Sequence, residues 1–392
     1  MRIVDLAEFY SERGGGVRSY LDKLLVAAER RGHELLVIAP GPRDDVQRLG
    51  QASRIVRYAA PRLPYDGTYH APIKLRTMRR LVQEHAPDVL QVSSPFIPAW
   101  VAASLRGPGL TSYVHHSDPI GSYVKPIAER LPWRWREKFV TPAWAYLRAV
   151  CRRFDVTVVA GQWLEDELKQ RGCQRVKTVP FGITLADFSP DRRDEAWRRE
   201  ALGAVADDPR ARLVVIAGRL AVDKRQKRLI QALLALSAQR PVGLVLLGDG
   251  PERAALEDLG RGLPAFTSLT FCKDRAEYAR ILASADVLLH GSVSETFGFV
   301  LAEALASGTP LVVPRAGGAA AMAGQDCAEL YEPEAGPDAI TAALERLFSR
   351  PSAALSQSAR HRAETLPSMD DHFENLFALY SELLAQPRHT RV

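Results

Sequence analysis

Short β-branched apolar runs alternate along this chain with longer stretches whose apolar residues recur every three to four positions. In the first half MRIVDL, HELLVIAP, PDVLQVSS, LTSYVHH and DVTVVAG read as strands, and 17–31 reads as an amphipathic helix. After residue 210 the theme restarts with ARLVVIAGR, VGLVLLGDG, LTFCK, ADVLLHGS and TPLVVPRAGG, with helical patterns at 227–239 and 253–261. Runs that are apolar throughout, not alternating, predict strands covered by helices on both faces. The alternation therefore predicts an α/β protein with two doubly wound parallel sheets and right-handed crossovers. Pro, Gly and charge interrupt the pattern in PFGITLADFSPDRRDEAWRRE, 180–200, which marks the linker. A final helical pattern at 369–385 lies beyond the second sheet. Ligands of such sheets bind outside the carboxyl ends of the strands, so the loops that follow each strand are where chemistry is to be sought.

Composition narrows the class. A chain of 392 residues suits two domains of about 150–200 residues. The apolar share of 46% and charged share of 25% are those of a soluble globular protein. No apolar run approaches the roughly 18–20 residues of a membrane span, and the first residues lack the apolar core of a secretion signal. A cytoplasmic location is expected. Cys151, Cys173, Cys272 and Cys327 are scattered, without a CxxC or a histidine at metal-ligand spacing, so reduced thiols are expected. The net charge of +6 divides unevenly: 28 Lys+Arg against 19 Asp+Glu in 1–190 gives +9, and 24 against 27 in the remainder gives −3. A basic first half points to an anionic partner, whether nucleic acid, a lipid surface or a phosphorylated ligand.

Four stretches carry candidate chemistry. In SERGGGVRSYL, Gly14, Gly15 and Gly16 stand between a strand and a helix, where the backbone can approach a phosphate and free amides can hold it. In AGRLAVDKRQKRL, Gly218 ends a strand and Arg219 and Lys224 follow it, placed to grip a diphosphate. Arg225, Lys227 and Arg228 read as a solvated helix start. In LLGDGPE, Gly248, Asp249 and Gly250 form a tight turn. In SETFGFVLAEALASGTPLVV, 294–313, a helix is expected at 297–307, with Phe297, Leu301, Ala304 and Leu305 as its apolar stripe. Glu295 and Glu303 flank it. If both were helical they would stand roughly 12 Å apart along the axis, too far for the acid–base pair of a glycosidase at about 5–9.5 Å. They suit two carboxylates gripping hydroxyls at the two ends of an extended ligand. The amides of Thr296, Phe297 and Gly298 between them suit a phosphate. Sugar, diphosphate and ribose in that order describe a nucleotide sugar.

The ordered set resembles the retaining glycosyltransferases of family 4, also called group 1. The glycine loop, GRLAVDK, LLGDGP, ASADVLLHGSVSETFG and LAEALASGTPLVV follow the family's order and spacing over most of the chain, with Glu295 and Glu303 as its E-x7-E motif. The resemblance implies a GT-B fold, with Rossmann-like domains at 1–185 (acceptor) and 186–368 (nucleotide sugar) facing across a cleft. It implies a last helix, 369–392, that returns to the first domain. It also implies roles: Glu303 on the ribose, Glu295 on the donor sugar, Arg219 and Lys224 on the diphosphate, and Gly15 and Gly16 closing over it. YVHHSD resembles the YHTD-type segment of members that use GDP-mannose and of related sulfoquinovosyl transferases. That likeness puts His116 near the reacting sugar and Asp118 beside it, with His115 as the rival. Two departures bear on the donor: Lys273 stands where relatives usually have Gly, near the base, and Thr184 replaces an Asp.

The resemblance further implies retention, no metal, and transfer of a hexose, mannose or glucose, to a lipid or glycan hydroxyl in cell-envelope synthesis. No Asp-x-Asp lies near the diphosphate loops. The stretch 124–153 is basic and carries Trp133, Trp135, Trp144 and Tyr146, a composition suited to an anionic membrane surface. A glycoside hydrolase would leave the Arg/Lys pair and glycine loop unexplained. A GT-B sugar epimerase would consume donor without acceptor, and a non-catalytic nucleotide-sugar-binding module would saturate without turnover. No nucleic-acid-binding module is recognisable.

Overall fold

A computed structural model describes residues 1–11, 15–63, 66–107, 109–270, 272 and 274–387, except the side chains of 66–68. The chain forms two compact units: 1–117 with 132–180 and 370–392, and 118–131 with 181–369. The segment 118–131, assigned from sequence to the first domain, groups with the second unit.

The first unit holds β1 (Arg2–Leu6), β2 (Glu34–Gly41), β3 (Asp45–Arg48), β4 (Arg54–Ala59), β5 (Arg62–Leu63), β6 (Asp66–His70), β7 (Val89–Val92), β8 (Leu110–His115), β9 (Val156–Val159) and β10 (Val176–Thr178). Its main sheet runs β10-β9-β8-β7-β1-β2-β4-β3. Every pairing in it is parallel except β3 with β4. The strand order reverses between β1 and β7, and the glycine loop follows β1. Strands β1, β7 and β9 have almost no exposed position, which is why they read as unbroken apolar runs. RIVRYA, which forms β4, alternates charge with apolar residues and so escaped a reading tuned to such runs.

The second unit holds β11 (Arg212–Ala217), β12 (Val242–Leu247), β13 (Ala265–Leu269), β14 (Val287–Leu289), β15 (Leu311–Pro314) and β16 (Ala328–Tyr331). They form a parallel sheet in the order β13-β12-β11-β14-β15-β16. This is the doubly wound order of a dinucleotide-binding fold, and its reversal falls between β11 and β14. GRLAVDK follows β11 and HGSVSETFG follows β14, so both candidate loops lie at the switch point. β13 corrects the sequence reading: the strand is AFTSL, sharing only Leu269 with the expected LTFCK. Pairing with β12 sets the difference, because Gly243 opposes Ala265 and Leu247 opposes Leu269. Leu229, Leu233, Leu236, Leu244, Leu246, Leu344 and Leu347 are among its buried core; each contributes about 1.5–3 kcal/mol on burial.

The last helix, Met369–Ala385, packs on the first unit from Asp370 onward. Phe373, Leu376, Phe377, Tyr380 and Leu383 are buried on it. The Tyr380 hydroxyl donates to Gln91 Oε1 (2.7 Å) and lies 2.9 Å from Ser112 Oγ, while the Gln91 amide and Ser93 hydroxyl donate to buried Asp5. Burial, only partly offset by those donors, pushes Asp5 up to about 7. Tyr380→Phe should lower stability by about 1–3 kcal/mol, because buried Gln91 Oε1 loses its donor. A denaturant midpoint checks this.

Candidate active site

In the second unit, the loops after β11 and β12 interlock backbone to backbone. Gly218 N donates to Leu247 O (3.0 Å), Leu220 N to Asp249 O (2.9 Å) and Glu252 N to Leu220 O (3.0 Å). Gly248 has φ +148°, and a Cβ there would stand 1.9 Å from Gly218 O. LLGDGPE is therefore a turn whose glycines let it brace the loop carrying Arg219 and Lys224.

Lys224 ends a short 3-10 turn, Val222–Lys224, and its ammonium reaches the Glu295 carboxylate. It lies 3.4 Å from Ser292 Oγ and 4.0 Å from Asp223 Oδ2. Arg219 Nη2 lies 3.4 Å from Asp223 Oδ1, and its side chain is 51% exposed against 23% for Lys224. Both cations thus sit beside a carboxylate at the carboxyl edge of the sheet. Arg225 corrects the sequence reading. It is not solvated: it is held at 2.8 Å by Glu129 and 2.9 Å by Glu334.

Glu295 lies on the loop ahead of its helix. The helix is Phe299–Ala306, not 297–307, because Gly298 takes φ 84° as its N-cap. The helical spacing assumed for Glu295 and Glu303 therefore does not apply. Phe297 precedes the helix and is buried against Phe181 and Phe299, at ring-centroid distances of 5.9 and 5.1 Å. Thr296 is buried beside it. Gly318 N donates to Glu295 O at 2.8 Å, so the glycine pair after β15 fixes the loop from behind. His290, the residue after β14, places Nε2 3.3 Å from Glu295 Oε1. Burial alone would raise the Glu295 pKa. The Lys224 ammonium and His290 more than reverse this and hold the carboxyl well below the usual range. Glu295 is a permanent anion, fit to accept hydrogen bonds from hydroxyls and unfit to deliver a proton.

Glu303 projects from the helix. Tyr278 donates to its Oε2 at 3.0 Å, and Arg275 Nη2 reaches its Oε1 at 3.4 Å while its Nε donates to Asp187 at 2.5 Å. Gly317–Gly318, His290, Tyr278 and Arg275 were not singled out in the sequence. A Gly-Gly pair two residues beyond a strand was an available signal.

Asp118 belongs to this unit. Its Oδ1 accepts from Ile120 N (3.0 Å) and Gly121 N (2.9 Å), capping the turn Ile120–Val124. That turn lies against the loop preceding Glu295, with Ser122 Oγ 3.4 Å from Ser294 Oγ. A Cβ on Gly121 would stand 2.5 Å from Ser294 Cβ. Burial, partly offset by those amides, raises the Asp118 pKa.

In the first unit, Gly16 opens the helix Gly16–Arg30 with Gly15 as its cap. A Cβ on either glycine meets nothing within 4 Å, and neither has positive φ. Among the described residues nothing in the unit's own packing demands glycine there. His115 ends β8, buried, with Nδ1 2.7 Å from the Tyr113 hydroxyl. His116 follows, edge-on to Tyr20 at 4.5 Å, and the Tyr20 hydroxyl lies 3.0 Å from His372 Nε2. Gly14 and Lys273 lie outside the described residues.

Burial, with His372 and His115 adding to it, pushes His116 down to about 3; His115 and His372 are pushed down to about 4. His116 is neutral at pH 7, and its ring resonances should titrate near 3 in an NMR titration, not near 6.5. The unfolded chain takes protons on these rings below about pH 6.5 while the folded chain does not. Their contribution to stability is complete above that pH and is lost as pH falls toward 4. Asp5 and Glu8, both pushed up to about 7, act in the opposite sense, losing their contribution as pH rises toward 7.

Comparison with known proteins identifies the family. Residues 14–187 match the model described as Glycosyltransferase Family 4, and 211–350 match that described as Glycosyl transferases group 1. A GDP-mannose-dependent alpha-(1-6)-phosphatidylinositol dimannoside mannosyltransferase of Mycobacterium tuberculosis is 34% identical over 366 residues, 93% of this chain and 92% of that protein. A GDP-mannose-dependent alpha-mannosyltransferase of Corynebacterium glutamicum is 29% identical over 330 residues, 81% of this chain and 73% of that protein. The solved sucrose-phosphate synthase of Thermosynechococcus elongatus superposes with a TM-score of 0.77 at 18% identity, over 98% of this chain and 100% of that one. The fold, the ordered motifs and these relatives agree: the chain belongs to glycosyltransferase family 4, and is a GT-B hexosyltransferase that uses a nucleotide-sugar donor.

Proposed function

We propose that this chain moves an α-mannosyl unit from GDP-mannose, with retention and without a divalent ion, onto a hydroxyl of a mannosylated phosphatidylinositol or related envelope glycolipid. The reading rests on one observation above others: Lys224 and Glu295, 71 positions apart, meet at the switch point of the second sheet. A cation suited to a diphosphate then stands beside an anion suited to sugar hydroxyls. Mannose, GDP and the acceptor are inferred from the mycobacterial relative's name.

The acceptor oxygen bonds to the anomeric carbon on the face from which the diphosphate leaves. The bond from that carbon to the phosphate oxygen breaks, its electron pair goes to the diphosphate, and the acceptor proton follows to a diphosphate oxygen. Arg219, Lys224 and the amides of 296–298 stabilise the departing charge. Gly218 and Gly248 hold the cation loop. Glu303 binds the ribose, and Glu295 binds the donor sugar.

We place the acceptor at a membrane surface. No helix among the described residues is long and apolar enough to cross a membrane. The helix Trp133–Cys151 begins with exposed Trp133, Trp135 and Phe139, 82%, 50% and 43% exposed, with Arg134, Arg136 and Lys138 between them. Trp144 is buried and Tyr146 donates to Pro95 O (2.7 Å), so the first turns of this helix suit a lipid surface best. Trp133→Ala with Trp135→Ala should weaken flotation with anionic vesicles by about tenfold at low salt; unchanged flotation removes the surface model. The activity test compares GDP-mannose with UDP-glucose on phosphatidylinositol dimannoside vesicles. Preferred release of UDP, or no transfer from GDP-mannose, defeats the reading.

A further inference from the structure

Lys224 is asked to do two things. Without donor it neutralises buried Glu295, and with donor it is needed by the diphosphate. A carboxylate left buried without a partner is costly, so a second group has to take Glu295 when Lys224 turns. Among the described residues the Glu295 carboxylate has two ion-pair partners, Lys224 and His290. His290 is buried, and its strand-end backbone is fixed: its N donates to Val312 O (2.9 Å) and its O accepts from the Tyr331 hydroxyl (2.8 Å). Its Nε2 has no well-aligned hydrogen bond, although it stands 3.3 Å from Glu295 Oε1. A buried ring nitrogen 3.3 Å from a carboxylate that another cation holds stands close enough to complete a hydrogen bond to it.

We propose that His290 is a positioning residue that takes over the Glu295 carboxylate, through Nε2–H, when Lys224 turns to the donor diphosphate. Glu295 then stays fixed against the sugar hydroxyls in the donor complex. This rests on the donor-binding reading above and adds a residue whose effect should fall on the sugar and not on the nucleotide.

Calorimetric titration of GDP, GDP-mannose, UDP and UDP-glucose into the wild type, His290→Ala, His290→Leu and His290→Gln separates the cases. His290→Leu keeps apolar bulk if the smaller side chain unsettles the fold. In the Ala and Leu variants the sugar nucleotide should bind at least about tenfold more weakly while the free nucleotide stays within about twofold, and Gln, whose amide can reach Glu295, should recover most of the loss. Equal affinity of wild type and both apolar variants for the sugar nucleotide overturns the proposal. So does an equal loss for nucleotide and sugar nucleotide without rescue by Gln, which marks a purely structural histidine. If the wild type binds neither pair, the donor reading falls and this inference with it. If it binds and the variants match it, only the role of His290 falls.

Discussion

Lys224→Ala is expected to lower kcat by at least about 100-fold, the effect of losing one preorganised stabiliser of a developing anion. Arg219→Ala should cost less than Lys224→Ala. The Arg219 side chain is half exposed and paired with Asp223, whereas Lys224 is largely enclosed with Glu295 and Ser292. Charges act more strongly where water is excluded. Lys224→Ala also removes one of the two ion-pair partners of buried Glu295 and leaves it to His290, at a cost of up to about 3–5 kcal/mol of stability. A melting curve must therefore accompany the kinetics. Near-wild-type turnover in a folded Lys224→Ala enzyme would remove the diphosphate role.

Glu295→Ala and Glu303→Ala should fail in different ways. Glu295 is held by Lys224 and His290, and on the proposed donor reading it binds the sugar, so its loss should reduce kcat by about 100-fold or more through contacts nearest the reacting carbon. Glu303 is pre-oriented by Tyr278 and Arg275, so its loss should raise the donor KM about 10–100-fold with a smaller effect on kcat. Steady-state kinetics over a range of donor concentration separates the two. A lowered kcat with unchanged KM for Glu303→Ala would reverse the assignment.

The fold was legible because it rests on local signals. Unbroken apolar runs bounded by turn signals, such as VTVV in the first sheet and VVIA in the second, fit strands with both faces covered, and the two sheets were read from them. β13 was misplaced because LTFC is more apolar than AFTSL, and registration against β12 decided the matter. The helix of 294–313 was drawn two residues too early because Phe297 fits its stripe; the left-handed Gly298 stops it there. The site was legible as residue types and not as contacts. Glu295 and Lys224 were both singled out, but their pairing joins positions 71 residues apart and has no local signature. His290 reads as the end of a strand, and its side chain acquires meaning only beside Glu295. Trp144 and Trp133 look alike in sequence, yet one is buried and the other is the most exposed large apolar side chain described.

The central claim is retaining transfer from a nucleotide sugar held between Lys224 and Glu295. Its most direct test is the anomeric configuration of the product made from GDP-mannose labelled with carbon-13 at C1, on phosphatidylinositol dimannoside vesicles. The account predicts an α-linked labelled mannose, read from the one-bond carbon–proton coupling at C1, with one GDP released per linkage. A β-linked product, or free mannose without linkage, would contradict it.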